Sequence, residues 1–331
     1  EMGEMAFEGG RIIRRFVEQY DIKCDLKPGG IFAACNKRQL SELEAKKALW
    51  ESHGHTGLEL LDKEQLKSYV GSDRYVGALL DNTGGHFHPL NLVLGEAAAF
   101  ESLGGTIYEG SPAINVQEGA MAVVKTEFGS VTADYVVVAG NAYLNGLIPK
   151  LESRAIPCGT QVVTTEPLSE EVQKRLLPKD NCIEDCNYLL DYYRLSGDGR
   201  LIYGGGVTYG AREPDKIESL IMPNMLKTYP ELKGVKIDYA WTGNFLLTLM
   251  RLPQLGRIGG NIFYAQGYSG HGVTCSHLAG KVLSDAIRGQ AERFDVFAGL
   301  PQYNFPGGRL FRIPLTALGA WYYNLRDQLG V

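Results

Sequence analysis

Several features that would mark other classes of protein are missing from this 331-residue chain. It has no apolar run near the roughly 18 residues needed to cross a bilayer, and its formal net charge is only -5. No block of lysine and arginine stands out, so we expect neither a nucleic-acid nor a membrane partner. The 6 cysteines include one CxxxC pair, Cys182 and Cys186, without a second pair nearby, so no metal site is expected. These absences predict a cytoplasmic globular protein with free thiols.

Two phosphate-binding motifs are also absent, because the chain contains neither GxxxxGK followed by Ser or Thr nor GxGxxG. A different glycine loop, GYSGHG, covers residues 267–272 between the apolar stretch NIFYAQ and a helical pattern. Glycine lets the backbone approach a ligand, and a helix capped by Thr274 or Ser276 would offer unpaired N–H groups and partial positive charge. The loop suits a phosphate or the electron-rich edge of a reduced flavin, and a plain strand-to-helix turn explains it equally well.

Hydrophobic periodicity divides the chain into α/β parts and a strand-rich middle. The stretch VVVAGNA (136–142) is an apolar strand ending in small residues, as expected of a buried parallel strand with a ligand at its carboxyl end. Residues 122–135 predict a hairpin that turns at Phe128 and Gly129, and TIYEG (106–110) predicts a strand. Residues 150–252 predict a mostly antiparallel sheet interrupted by one helix over 215–229.

The end of the chain carries an amphipathic helical pattern. Its apolar face holds Leu315, Leu318, Tyr322, Leu325 and Leu329. We expect this face to dock on the protein's own surface or on a second subunit, so a homo-oligomer is possible, and membrane contact is the less favoured alternative.

The order of four segments resembles the D-amino-acid oxidase-like superfamily of FAD-dependent amine oxidoreductases. The segments are GGHFHPLNL (84–92), VTADYVVVAGNAY (131–143), WTGNFLLTLMRLPQLG (241–256) and YAQGYSGHGVTCSHLAG (264–280). The similarity spans nearly the whole chain and is greatest to members that oxidise gamma-glutamylputrescine. The resemblance implies an FAD enzyme that oxidises the primary amine of this small molecule to an aldehyde. Ammonia would be released, and O2 would reoxidise the flavin to give H2O2.

The resemblance also implies an α/β (α+β two-domain) fold, in which a Rossmann-like FAD-binding domain is interleaved with a mostly antiparallel substrate domain. Residues 1–26, 84–147 and 253–331 would form the FAD-binding domain, and residues 27–83 and 148–252 the substrate domain. The family's N-terminal βαβ unit, which carries GxGxxG and holds the FAD pyrophosphate, is not found in the sequence. We therefore expect this chain to correspond to the family without that piece.

By position, the resemblance assigns the flavin to two segments and one separate alanine. Gly140, Asn141 and Ala142 would lie against the flavin, and Ala113 would meet its adenine end. A loop would cradle the ring through backbone N–H groups, and its residues are Gly267, Tyr268, Ser269, Gly270, His271, Gly272, Val273 and Thr274. The stretch AWTGNFLLT (240–248) lacks the cysteine that tethers the flavin in the sarcosine-oxidase branch, so FAD is expected to bind non-covalently. The catalytic acid or base stays unassigned, with His271 as a candidate because it lies in the loop.

The substrate side is assigned to EDCNYLLDYYR (184–194) and to the Trp-led strand. If this stretch is one strand, Tyr192 and Tyr193 lie on opposite faces, and aromatic rings with a carboxylate suit an alkyl ammonium. The candidate substrate residues are Tyr192, Tyr193, Arg194, Trp241 and Phe245. Arg194 would receive the glutamyl carboxylate, although an ordinary edge strand with an exposed arginine explains it equally well.

Phe245 stands where amino-acid oxidases of the family often carry an arginine that clamps the α-carboxylate, so an α-amino acid is the less favoured substrate. Two alternatives remain open at this point. One is an amino-acid or N-methyl-amino-acid oxidase on the same fold, and the other is a flavin-free, non-catalytic fragment.

Overall fold

The computed structural model describes residues 5, 7–211 and 213–329. Helices α1 to α10 span Glu8–Gln19, Lys37–Ser52, Lys63–Leu66, Pro89–Ser102, Pro149–Glu152, Glu170–Leu176, Ile217–Thr228, Gly272–Ile287, Glu292–Ala298 and Gly308–Leu329. Strands β1 to β7 span Lys27–Ala34, Leu58–Asp62, Gly77–His86, Asn115–Gln117, Ala122–Lys125, Ser130–Ala133 and Val136–Val138. Strands β8 to β14 span Ala155–Thr165, Cys182–Asp185, Tyr192–Leu195, Leu201–Tyr209, Ile237–Thr248, Gln254–Ile258 and Ile262–Gln266. None of the helices in these ranges is both long and apolar enough to cross a membrane.

Eight strands form one large sheet in the order β12-β8-β11-β10-β9-β1-β3-β2. All its neighbouring pairs are antiparallel except β1 and β9, which are parallel. The strands come from residues 27–86 and 155–248, so the mostly antiparallel sheet expected from the sequence is present. The predicted domain boundaries stay a prediction, and β3 runs to His86, past the predicted boundary at residue 83.

One face of the large sheet carries the main hydrophobic core. Val163, Ile183, Tyr193 and Tyr203 lie on this face and pack against α7 through buried residues such as Met225. The rings of Tyr193 and Tyr203 are stacked with centroids 5.0 Å apart. Because side chains alternate along a strand, the neighbours of these residues in sequence point to the opposite face. That opposite face is the one left for a ligand.

A second, three-stranded sheet has the order β13-β14-β7, with β7 and β14 parallel. The parallel strand predicted over 136–142 is therefore present as β7, but it lies at the edge of its sheet. Val138 is buried, whereas Val137 is 45% exposed, so the strand is covered on one face only.

Three local expectations can be compared with the observed elements. The hairpin β5–β6 turns where expected, with the Thr126 amide donating to the Gly129 carbonyl at 2.8 Å, and the interrupting helix is α7. The strand expected at TIYEG is wrong, because these residues form no strand and Tyr108 is exposed. The terminal helix α10 does form, but Leu315, Leu318 and Leu325 are exposed, so the part of its apolar face that the structure describes is not buried against the rest of the chain. The side chain of Leu329 lies outside the described residues, and docking on a second subunit stays a prediction.

Candidate functional site

Two of the segments assigned from the sequence meet at the carboxyl ends of β7 and β14. The 3-10 helix Asn141–Tyr143 directly follows the first strand, and the glycine loop follows the second. The Asn141 side chain joins them, because its Oδ1 accepts a hydrogen bond from the Gly267 amide at 2.9 Å. The ends of adjacent parallel strands are where α/β sheets bind ligands. The structure thus brings Gly140, Asn141 and Ala142 together with the loop at 267–274.

The same loop is attached to the outer edge of β12 in the large sheet. The Ser269 amide donates to the Leu246 carbonyl at 3.0 Å, and the Thr248 amide donates to the Ser269 hydroxyl at 3.3 Å. The Asn244 amide donates to the Tyr143 hydroxyl at 3.4 Å. These bonds place both ligand-side loops beside one end of the substrate-side sheet.

The helix after the loop begins without a side-chain cap. Helix α8 starts at Gly272, and its N-cap residue His271 makes no capping hydrogen bond. The expected cap by Thr274 or Ser276 is wrong because both lie inside the helix, where the Ser276 hydroxyl donates to the Val273 carbonyl at 3.0 Å. The first N–H groups of a helix have no partner within it and carry partial positive charge. They remain available to a bound group.

This end of α8 is also open to its surroundings. His271, Val273 and Thr274 are exposed, and no atom lies within 4 Å of a Cβ built on Gly270, which has a φ of +100°. An electron-rich ring edge could therefore approach the N–H groups of residues 272–274 without a clash at Gly270, whereas the His271 amide donates to the Tyr268 carbonyl at 3.0 Å. These residues fit the flavin end of FAD, whose negative charge on reduction needs such donors.

Two contacts hold the first turns of α8 in place. A Cβ on Gly9 of α1 would lie 2.1 Å from the Thr274 carbonyl oxygen, so only glycine allows the two helices to approach this closely. On another side, His277 Nε2 lies 2.6 Å from Glu96 Oε1 in α4, and His277 Nδ1 lies 2.6 Å from the Val273 carbonyl oxygen. Both partners are acceptors, so both ring nitrogens must donate and the ring is an imidazolium. Burial lowers the pKa of His277, but these hydrogen bonds raise it overall.

A row of residues crosses the open face of the large sheet. In register order it runs Trp241, Val162, Gly204, Tyr192, Glu184 and Phe32. The Tyr192 ring lies across Gly204, where a Cβ would be 2.3 Å from the ring, and its hydroxyl is 2.9 Å from the Thr160 hydroxyl. The absence of a side chain at Gly204 therefore fixes the position of Tyr192.

The candidate stretch at 184–194 is not one strand, contrary to the expectation. Strand β9 ends at Asp185 and β10 begins at Tyr192, with a loop between them. Tyr193 points into the core and its hydroxyl donates to the Tyr75 hydroxyl at 3.0 Å, so its assignment to the substrate site is wrong.

A buried arginine anchors the loop between β9 and β10. Arg74 donates to Asp185 Oδ2 and to Asp191 Oδ2, each at 2.9 Å, and the side chains of all three are almost fully buried. Asp185 Oδ1 accepts from the amides of Asn187 and Asp191. Burial raises the pKa of Asp185 to about 6, with Asp191 adding to the shift and Arg74 opposing it. The network fixes the two ends of the loop, and therefore the neighbouring Glu184 and Tyr192.

Arg194 and Phe245 lie on the open face of the sheet, but in different surroundings. Arg194 is half-buried and donates to the Leu195 carbonyl at 3.0 Å. Burial lowers the pKa of its guanidinium, and Asp25 and Asp180 oppose that shift. Phe245 packs with Ile156, Cys158, Leu247 and Phe305 in an apolar cluster. The position at which amino-acid oxidases of the family often carry the carboxylate-binding arginine is thus apolar in this protein.

Ala113 precedes a strand of a different sheet from the one that carries the two loops. It lies in an exposed segment just before β4, in the separate sheet β4-β5-β6, and no hydrogen bond of the described residues joins it to the glycine loop. Its assignment to the adenine end stays a prediction.

The described residues outside the two loops offer no metal site and one groove of moderate size. Among the described residues, no group of three or more His, Cys, Asp or Glu side chains could hold a metal ion. A groove of about 470 Å³ lies between the end of α1 and α4, lined by residues such as Tyr20 and Asn91, away from the two loops. The chemistry therefore concentrates between the glycine loop and the open sheet face.

Sequence reasoning missed three residues of this face, namely Thr160, Glu184 and Gly204. Alternation along CIED (182–185), which places Cys182 and Glu184 on one face and Ile183 and Asp185 on the other, was the available signal for Glu184. It does not say which of the adjacent carboxylates, Glu184 or Asp185, is buried.

Comparison with known proteins identifies the family of this chain. The family model described as DAO, FAD dependent oxidoreductase, matches residues 1–286. The chain belongs to this family. It is an FAD-dependent oxidoreductase, and the expected fold class is confirmed.

Curated relatives in the family match along the whole chain. Gamma-glutamylputrescine oxidoreductase of Escherichia coli is 60% identical over 331 residues, which cover 100% of this chain and 78% of the relative. A probable oxidoreductase, OrdL, of Haemophilus influenzae is 38% identical, with 99% of this chain and 77% of the relative covered. Among solved structures, glycine oxidase from Geobacillus kaustophilus aligns with a TM-score of 0.79 at 19% identity, covering 91% of this chain and 83% of that one. The last likeness shows the fold alone.

Proposed function

We propose that this protein oxidises the primary amine of gamma-glutamylputrescine, an FAD-dependent reaction that yields an imine, which water then hydrolyses to an aldehyde and ammonia. The 60% identity with the E. coli gamma-glutamylputrescine oxidoreductase, which extends over the whole chain, carries the choice of substrate. When bound, FAD would supply the acceptor for the hydride that leaves the amine carbon while the nitrogen loses a proton, and O2 would then take the two electrons with two protons to give H2O2.

The residues that would hold FAD are those at the ends of β7 and β14. The segment after β7 contributes Gly140, Asn141 and Ala142. The segment after β14 leads to the uncapped N-terminus of α8, which offers N–H donors. Non-covalent binding is supported by the sequence of β12, which contains no cysteine. The binding is proposed from these features, together with membership of the family.

The substrate would lie against the open face of the large sheet. Tyr192 and Trp241 offer aromatic surface to an aliphatic chain, and Phe245 makes the position beside them apolar. Arg194 lies two residues beyond Tyr192 on the same face and is proposed to receive the carboxylate at the glutamyl end. A cytoplasmic location, O2 as the electron acceptor and a homo-oligomer stay predictions from the sequence.

An anaerobic reduction experiment tests the proposal. The purified protein is supplied with FAD, freed of excess cofactor, and mixed with gamma-glutamylputrescine, glycine or sarcosine while the visible flavin absorbance is followed. We expect gamma-glutamylputrescine to bleach the flavin fastest and, in air, to give aldehyde, ammonia and H2O2 in equal amounts. Faster bleaching by glycine or sarcosine would support the amino-acid oxidase instead. A protein that stays colourless after FAD is added would support the non-catalytic alternative.

A further inference from the structure

Glu184 lies in the middle of the open sheet face, on β9. Its register partners are Tyr192 on β10 and Phe32 on β1. The residues on either side of it in sequence, Ile183 and Asp185, are buried on the opposite, core-bearing face. Alternation along the strand therefore directs Glu184 to the open face.

Helix α2 covers only part of this face. Phe32 and Leu79, which are register partners, pack in one cluster with Leu43 of α2. Lys46 of the same helix lies with its Nζ 5.3 Å from the centre of the Phe32 ring. Glu184 comes next to Phe32 in the row, so it is the first residue beyond the part of the sheet that α2 covers. On its other side the row continues to Tyr192.

The carboxylate of Glu184 is half-buried and lacks a close cation. Within the described ranges, no Lys, Arg or His nitrogen lies within 4.0 Å of it, whereas Asp185 and Asp191 are both paired with Arg74. Burial raises the pKa of Glu184, and His271 of the glycine loop and Lys46 oppose the shift from a greater distance. A partly desolvated carboxylate is stabilised by a cation placed beside it.

The register of the large sheet also locates Glu184 relative to the proposed flavin site. His271 directly precedes α8 in the loop that would cradle the ring. Glu184 lies in the row of Trp241, whereas Arg194 lies in the row of Tyr239, through Ile202 and Thr164. The glycine loop is bonded to β12 at Leu246 and Thr248, so the row of Glu184 is nearer to this loop than the row of Arg194. Arg194, by contrast, lies two residues further along β10, near Asp25 and Asp180.

We infer that Glu184 binds the primary ammonium group of the incoming substrate, with the Tyr192 ring beside the alkyl chain. This group loses a proton to water before the neutral amine is oxidised. The inference rests on the proposed function, because it takes the substrate to be an amine. It assigns the two ends of the substrate to neighbouring rows of the sheet face, the ammonium end to Glu184 and the glutamyl carboxylate to Arg194. It also accounts for selection against α-amino acids, because a carboxylate next to the reacting carbon would be repelled by Glu184.

The test compares Glu184→Gln with Glu184→Asp and with a control, Glu59→Gln. Glu59 lies on β2 of the same sheet and is exposed. Two substrates are used, gamma-glutamylputrescine and N-acetylputrescine, which keeps the primary ammonium but lacks the amino-acid end. We expect Glu184→Gln to raise KM roughly 10- to 100-fold for both substrates, the range for one charge-assisted hydrogen bond. Glu184→Asp keeps the charge and is expected to recover most of the affinity, and Glu59→Gln should match the wild type.

Each outcome decides the inference. An equal rise in KM for both substrates supports it. A gain in activity on glycine relative to gamma-glutamylputrescine strengthens that support. A loss confined to gamma-glutamylputrescine would overturn it, since Glu184 would then bind the amino-acid end. Unchanged KM, or loss of FAD or of thermal stability in Glu184→Gln, would also overturn it. If the wild type oxidises other primary amines but not gamma-glutamylputrescine, the proposed function fails. The KM of Glu184→Gln relative to the wild type, measured on the amine that is oxidised, then still decides the role of Glu184.

Discussion

Replacing Gly9 by alanine tests how the glycine loop and α8 are held. Gly9 is buried in α1, and an added Cβ would lie 2.1 Å from the Thr274 carbonyl oxygen and 2.8 Å from its carbon. Unstrained C···O contacts are about 3.3 Å or longer, so α1 and α8 would have to separate by roughly 1 Å. The atoms in the way belong to the backbone, which cannot rotate aside as a side chain can.

The neighbouring Gly10 supplies a matched control. Nothing lies within 4 Å of a Cβ built on Gly10, which is in the same turn of α1. Both substitutions gain the same helix propensity, about 0.5–1 kcal/mol. Their difference therefore isolates the contact with Thr274, for which overpacking predicts about 1–3 kcal/mol.

The assay is thermal unfolding of the two variants, with FAD affinity measured on the same samples. For a chain of this length, roughly 2 cal/mol/K of unfolding entropy per residue converts the difference to about 1.5–4 °C in Tm. We expect Gly9→Ala to have the lower Tm and the weaker FAD binding, because the displaced end of α8 supplies the N–H donors. Equal Tm and equal FAD affinity for Gly9→Ala and Gly10→Ala would refute the reasoning.

Three further predictions concern other parts that hold the site. Gly204→Ala displaces the Tyr192 ring and is expected to lower kcat/KM for the amine roughly 10- to 100-fold; wild-type kinetics would contradict this. Arg74→Met leaves two buried carboxylates unpaired and is expected to cost about 3–5 kcal/mol in chemical denaturation, and a loss below about 1 kcal/mol would be too small for the network described. His277→Gln removes the pair with Glu96, which contributes to the raised pKa of His277 although burial lowers it. Because the folded pKa is the higher one, the wild-type stability advantage should be full below about pH 6.5 and be lost as pH rises through the folded pKa, so an advantage that persists at about pH 9 argues against an imidazolium.

The cofactor side of the site was largely predictable from local patterns. An apolar strand ending in small residues and a glycine loop between a strand and a helix are both short-range signals, and both place backbone N–H groups at strand ends. That Asn141 would reach the Gly267 amide could not be predicted, because the two residues are 126 positions apart.

The substrate side was less predictable, because contacts with residues distant in the sequence decide which side chains of each strand face the substrate. Tyr192 and Tyr193 are adjacent, and only one can face the substrate. Which one does is fixed by the core around Tyr75 and by Arg74, which lies 111 residues before Asp185. The same long-range pair buries Asp185 and thereby turns Glu184 to the open face. A sequence with two neighbouring tyrosines and two neighbouring carboxylates does not contain this choice locally.

A crystal structure of the protein with FAD bound tests the central claim most directly. We predict that the isoalloxazine ring contacts the N–H groups at the start of α8 and residues 140–142, and that its free side looks toward Tyr192 and Glu184. A ring bound elsewhere, such as in the groove between α1 and α4, or one whose free side looks away from the large sheet, would contradict the account.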